Sequence, residues 1–302
     1  MSVANVISQW SFDPAVVAGV ALAAFLYWRG RRNAPKLVGG RSRAAAWHAI
    51  AFYAALGIII VALESPIDHY SASLFWAHML QHLLLIMVAA PLLILGDAMV
   101  PVLRGVPLEL RRRGLGVLAR RPWLHRLGRA FSWFASPGPV FAIFLIDLYL
   151  WHWSWLFNLT LRNDAVHLLE HACFLVTALL FWSQIIDQRL MPARLPYARR
   201  ALYSVMTAAA SNLLAMYFVF TPKPVYSAYV SAAHRPFGIT ALADQQFAGG
   251  LMWVPVLFLF GGASAVCFFK ALTEDERHAD SVTATTMSYS VLIPSGDGTI
   301  VG

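Results

Sequence analysis

Residues 71–95 read SASLFWAHMLQHLLLIMVAAPLLIL. From Leu83 onward every side chain is apolar. At a rise of ~1.5 Å per residue the whole stretch makes a helix of about 37 Å, enough to cross a bilayer core of about 30 Å. His78 and His82 interrupt its first half, four residues apart, so one helical turn sets both rings on the same face. A second apolar run, about Ala165 to Ile186, repeats the arrangement with His167 and His171 and also carries Glu170 and Cys173. His152 stands near the end of the run before it. Ionisable rings in otherwise apolar spans are costly and point to a ligand site inside a membrane protein.

Working outward, the chain has 302 residues, 59% of them hydrophobic and 13% charged, about half the charged share of an ordinary soluble domain. An integral membrane protein follows. The net charge of +8 and pI near 9.8 would suit nucleic acid in a soluble chain, but here the basic residues map onto loops, which removes that reading. Cys173 and Cys267 both lie in apolar runs and form no C-x-x-C, so neither a disulfide framework nor a dithiol clamp is written here. Met1 to Asp13 carries no Lys or Arg, so the first apolar run reads as a retained span rather than a cleaved leader.

Apolar runs predict seven transmembrane helices in residues 1–272: about 14–28, 44–63, 71–95, 139–157, 165–186, 201–220 and 247–270. Between the third and fourth, residues 104–134 interleave arginines with Leu, Val and Trp123, the pattern of an amphipathic segment lying on headgroups of the bilayer. Residues 273–302 are small and polar and read as a disordered tail. Alternating the spans puts every Lys and Arg except Arg162, Lys223 and Arg235 on one side. By the positive-inside rule that side is cytoplasmic, giving N-terminus out and C-terminus in, with the amphipathic segment and the tail cytoplasmic.

This topology turns the histidines into a depth map. His78, His82, His152, His167 and His171 all fall roughly 4 to 16 Å below the outer ends of their spans. His69 and His234 lie in outer loops, whereas His48, His125 and His278 are cytoplasmic and have no place in the site. Five imidazoles at matching depth point to a shared metal or cofactor, and imidazole suits copper, zinc, iron or nickel alike. Met79 and Met252 fall in outer halves and offer soft accessory ligands, as does Met216. Glu170 suits a supporting role, accepting a ring N–H and fixing the tautomer of a ligating histidine. Asp244 and Gln245 lie at the outer mouth of the seventh span, where a carboxylate complements a helix N-terminus. Asp147, at mid-membrane, lies around its helix from His152 and faces a different neighbour.

Two other chemistries share these residues. Facing histidines on two helices can hold haem axially, as in a membrane cytochrome. His167-Leu168-Leu169-Glu170-His171 also fits H-x-x-E-H, the inverted zinc-protease signature with a glutamate base. A copper transporter is weakened because no histidine or methionine row continues to the cytoplasmic side.

Three segments carry a resemblance to a known family. They are His78-Met79-Leu80-Gln81-His82 with Ala90-Pro91-Leu92-Leu93-Ile94-Leu95-Gly96; Trp151-His152 with Ala165-Val166-His167, Glu170-His171 and Phe181-Trp182; and Asp244-Gln245-Gln246 with Gly249-Gly250-Leu251-Met252-Trp253. In this order the chain resembles the multi-span CtaG family of cytochrome c oxidase assembly proteins, associated with caa-type oxidases. The family usually has proline two residues after the histidine matching His152, where this chain has Ser154. The resemblance implies a non-enzymatic assembly factor of the bacterial inner membrane, a metallochaperone acting on the copper centre of an oxidase subunit. It further implies copper as the bound metal, received from the periplasm and from a copper donor there.

Overall fold

The structure is a computed structural model and describes residues 9–34, 43–120, 122–189, 192–231 and 235–292. Lys36, Arg41, Arg121, His234 and the end of the expected tail, 293–302, lie outside the described residues. Among the described residues the fold is all-helical, with no strand. In chain order the helices are α1 (Pro14–Arg32), α2 (Arg43–Glu64), α3 (Pro66–Ser71), α4 (Phe75–Leu95) and α5 (Met99–Gly105). Then come α6 (Leu108–Arg120), α7 (Pro122–Phe134), α8 (Pro137–Trp151), α9 (Ser154–Thr160) and α10 (Asp164–Trp182). The last are α11 (Tyr197–Phe220), α12 (Ser227–Val230) and α13 (Ala241–Leu292).

Local chemistry sets several of these ends. Asp13 accepts from the amides of Ala15 and Val16 and Pro14 opens α1, while Asn163 caps α10 through Ala165 and Val166. The middle of α4, Leu84–Ala89, is wound as a π-helix, in which Ala90 N–H reaches back to Leu85 O. The next amide in that pattern would be Pro91, which has no N–H, so Ile86 O is left over. The indole Nε1 of Trp182 donates to it at 2.8 Å, tying α10 to the wide turn of α4. Such π segments inside α-helices commonly adjoin functional sites.

Two clusters hold the helices together. The larger is built from α4, α8, α10, α11 and α13, around Phe144, Phe181, Trp182, Phe218 and Phe260. The smaller joins α1 and α2 to α4, with Tyr27 stacked on Phe52 at 4.0 Å and its hydroxyl donating to Gly96 O. Gly30 of α1 and Gly105 of α5 face each other so closely that a Cβ on either would collide with the other helix's backbone, the small-residue contact typical of membrane packing. Outward faces of α11 and α13 are apolar, with Leu213, Phe220, Phe258 and Phe269 exposed, which suits lipid contact.

Among the described residues, five helices are long and apolar enough to cross a membrane: Ala46–Glu64 within α2, all of α4, α10 and α11, and Ala241–Glu276 within α13. A sixth is reached if Trp123–Phe134 and α8, bent by 73° at Ala135–Ser136, form one broken span. The expected count is seven. The first expected span is the 19-residue helix α1, whose last turn holds Arg29, Arg31 and Arg32, leaving a short apolar part. The fourth, expected over 139–157, is interrupted: α8 ends at Trp151, Trp153 is extended (φ −67°, ψ 128°) and α9 restarts at Ser154. Its 15 helical residues reach only about 22 Å. The expected amphipathic segment is α6 and α7, with Leu110, Arg112, Trp123, Leu127 and Phe131 on exposed positions. No break occurs at 273, where the tail is expected to begin; α13 continues to Leu292.

Candidate metal centre

The five histidines gathered by depth in the sequence converge on one buried place. His78 and His82 come from α4, His167 and His171 from α10, and His152 from the end of α8. Ring centroids form an unbroken series: His167 to His171 4.3 Å, His167 to His78 4.9 Å, His78 to His82 4.5 Å, His82 to His171 5.3 Å and His82 to His152 6.2 Å. The i, i+4 spacing on both helices does this directly, since α4 and α10 present their histidine faces to each other.

Glu170 lies among them with no exposed surface. Its Oε2 is 3.2 Å from His78 Nε2 and 3.7 Å from His82 Nε2. Two groups have ligand atoms mutually within 4.8 Å, His78 with His167 and His171, and His78 with His82 and Glu170. His78 belongs to both.

The hydrogen-bond account of these groups does not close. Among the described residues, His78 Nδ1, His82 Nδ1, His167 Nε2, His171 Nε2 and Glu170 Oε1 are buried with no hydrogen-bond partner, and His82 Nε2 has nothing nearer than Glu170 Oε2 at 3.7 Å. Each such group costs about 1–3 kcal/mol if nothing meets it, more when charged. A cation in the centre would meet several at once, and imidazole nitrogens with one carboxylate make a donor set fit for a transition metal. His167 is the single member of the five that is only partly buried, so the cluster opens to the surface at the start of α10.

His152 is set differently. Its Nδ1 is 2.7 Å from Leu148 O, at the end of its own helix. A carbonyl only accepts, so Nδ1 carries the proton and Nε2 of the neutral ring keeps its lone pair. Nε2 faces the Met79 sulfur at 3.4 Å. A cavity of about 30 Å³ opens there, lined by Met79, His82, His152, Ser211 and Met252 among apolar neighbours. Met252, an accessory candidate, thus sits with Met79 on one small space.

Asp244 and Gln245 stand outside the cluster and act on its scaffold. Asp244, fully buried, accepts from the amides of Phe75 at 2.9 Å and Trp76 at 3.0 Å and so caps α4 rather than its own helix. Gln245 accepts from Val225 N–H and donates to Phe218 O and Lys223 O, pinning the loop after α11. That loop closes the end of the site: Tyr226 donates to His152 O and Tyr229 to Ser71 O. Burial pushes both phenols well above their ordinary pKa, so they remain donors. Tyr226 stacks on Phe157 at 3.9 Å, and Phe157 covers His78 at 4.8 Å.

Other polar residues bind helices together. Asp147 accepts from Trp151 Nε1 at 2.9 Å and Thr177 Oγ1 at 2.7 Å, joining α8 to α10 away from His152. Gln81, between the two α4 histidines, donates to Ala62 O and to Asp68. Burial raises the Asp68 carboxyl, offset in part by hydrogen bonds from Gln81 and Ser11. Ser211 and the Tyr226–Phe157 pair escape a motif search because each is an ordinary residue in an apolar run or loop. Ser211-Asn212 as a polar break in α11 is the one signal available beforehand.

The family model described as cytochrome c oxidase caa3 assembly factor matches residues 23–274. Uncharacterized proteins of Mycobacterium bovis and Mycobacterium tuberculosis are each 26% identical over 294 residues, covering 93% of this chain and 43% of the relative. One of Mycobacterium leprae is 25% identical over 290 residues, covering 91% of this chain and 42% of its own length. The chain therefore spans under half the length of the curated relatives it matches. No solved structure matches it.

Proposed function

The chain belongs to the cytochrome c oxidase caa3 assembly factor family, and from that premise we propose that it is a membrane metallochaperone, which binds copper as cargo and helps form the copper centre of an oxidase subunit. It performs no turnover of its own. The observation that carries this is the set of buried, unpartnered ring nitrogens on His78, His82, His167 and His171 around Glu170. The thioether of Met79 beside His152, at the edge of the cluster, is a soft neutral donor that suits Cu(I), which supports copper as the cargo. Rings packed 4.3 to 4.9 Å apart leave no slot for a porphyrin plane, which argues against haem. Glu170 is engaged by His78 and His82, which supports a holding role over that of a protease base.

In this account the chain makes seven passes through the bacterial inner membrane, N-terminus out, with α1 and the broken α8–α9 segment as short spans. The cluster then lies in the outer leaflet. Copper from a periplasmic donor enters past His167, the partly buried member.

The test is complementation of a strain lacking the protein. Wild type restores a copper-loaded, active oxidase; His78→Ala and His171→Ala, accumulating in membranes at wild-type level, do not. Full restoration of oxidase copper by both variants would contradict the proposal.

A further inference from the structure

The contact between His152 Nε2 and the Met79 sulfur has no hydrogen in it. Leu148 O holds the proton on Nδ1, so at 3.4 Å a nitrogen lone pair faces a sulfur that also only accepts. Two acceptors turned toward each other call for a shared cation. A metal about 2.0 Å from nitrogen and about 2.3 Å from sulfur, at a near-tetrahedral angle, places those ligands roughly 3.5 Å apart. The adjoining cavity of about 30 Å³ is more than the roughly 10–15 Å³ that one water-sized occupant needs. Met252 lines it from α13, and His82 and Ser211 line it as well; His82 Nδ1 and Ser211 Oγ are buried with no hydrogen-bond partner among the described residues.

From these we propose a second metal site, for a soft monovalent cation of the Cu(I) class, held by His152, Met79 and Met252 and distinct from the imidazole–carboxylate cluster of His78, His167, His171 and Glu170. It deepens the chaperone role and rests on it. His82 stands between the two, its ring 4.5 Å from His78 and 6.2 Å from His152. The two donor sets differ in softness: nitrogen and oxygen on one side, thioether sulfur with imidazole on the other. Cargo held first at the mixed nitrogen–oxygen cluster, near the His167 opening, passes by exchange at His82 to a drier, sulfur-rich station against α13. The passage is of a metal already monovalent and involves no electron transfer.

The test uses the purified full chain in detergent with two probes, Ag(I) as a redox-inert soft monovalent ion and Cu(II) as the harder one. Leucine conserves the volume of methionine, so Met79→Leu and Met252→Leu are well tolerated by packing. Each is expected to weaken Ag(I) binding at least tenfold while leaving Cu(II) binding unchanged, and X-ray absorption of the Ag(I)-loaded wild type should show sulfur in the first shell. Unchanged Ag(I) affinity in both variants, or no sulfur scatterer, overturns the second site. Equal loss of Ag(I) and Cu(II) in either variant also overturns it, since that is the behaviour of one site. Cu(II) binding that survives His78→Ala together with His171→Ala would instead strike the chaperone proposal, and the two failures are thereby distinguishable.

Discussion

The carboxylate of Asp244 receives the amide of Phe75 at 2.9 Å across 169 positions of sequence, fixing the start of the helix that carries His78 and His82 to the start of the last helix. Trp76 N–H shares the same carboxylate at 3.0 Å. Asp244→Ala leaves one buried and one partly buried amide unpaired, and loss of such a cap costs about 1–2 kcal/mol. The expected result is a lower thermal midpoint and weaker metal retention together, because His78 lies on the first turn after the cap. An unchanged midpoint would show that the cap is dispensable.

Glu170→Gln keeps the shape of the side chain and removes its charge beside His78 and His82. Groups that fix and charge-balance a metal's imidazole ligands are worth about 10–100-fold in affinity. A loss of that size in Cu(II) binding, with helix content preserved, is expected in equilibrium titration. Wild-type affinity in Glu170→Gln would remove the carboxylate from the site.

Trp182→Phe retains an aromatic ring and deletes the donor to Ile86 O. Pro91 prevents any backbone amide from replacing it in the π register. A buried carbonyl left unpaired costs about 1–3 kcal/mol. The melting temperature of Trp182→Phe should fall accordingly, and Trp182→His, which restores a ring N–H, should recover part of it; equal midpoints in all three proteins would refute the account of the wide turn.

Asp187, in the loop after α10, has its carboxyl held below the ordinary range. Burial acts to raise it, but hydrogen bonds from Arg200 at 2.7 Å, Ala193 N–H at 3.0 Å and the Tyr197 hydroxyl at 3.0 Å prevail. For an acid with a depressed folded-state pKa, the stabilisation is fully present above the unfolded value and is lost as pH falls through the folded one. The window is therefore below about pH 4. Asp187 is more than a third exposed, so solvent screening keeps the effect modest. The stability advantage of wild type over Asp187→Asn should be constant near neutrality and shrink as pH drops toward 3. A difference independent of pH over that range would show that the charge of Asp187 contributes nothing.

Much of the site can be read from the sequence because helical spacing is a strict rule. His78 with His82 and His167 with His171 must each share a face, and the alternation of apolar runs groups His152 with them toward one end of the spans. What spacing cannot give is how distant segments close on one another. Asp244 looked like a cap for its own helix and caps another, because only tertiary packing brings α13 against Phe75. The break after Trp151 was also hidden, since Trp153-Ser154-Trp155-Leu156 is as apolar as a continuing span. A count of seven spans rests on windows of hydropathy, whereas α1 and α8 as folded are too charged or too short to pass as ordinary crossings. The His152–Met79 contact needs the tautomer fixed by Leu148 O, a fact of geometry alone.

The central claim is that the imidazoles around Glu170 hold copper. The most direct measurement is the copper content of the purified full chain after equilibration and removal of free metal, for wild type, His78→Ala and His171→Ala. Bound copper in stoichiometric amount in wild type and its loss in both variants is the predicted result. A wild-type protein that retains no copper, or variants that retain as much as wild type, would contradict it.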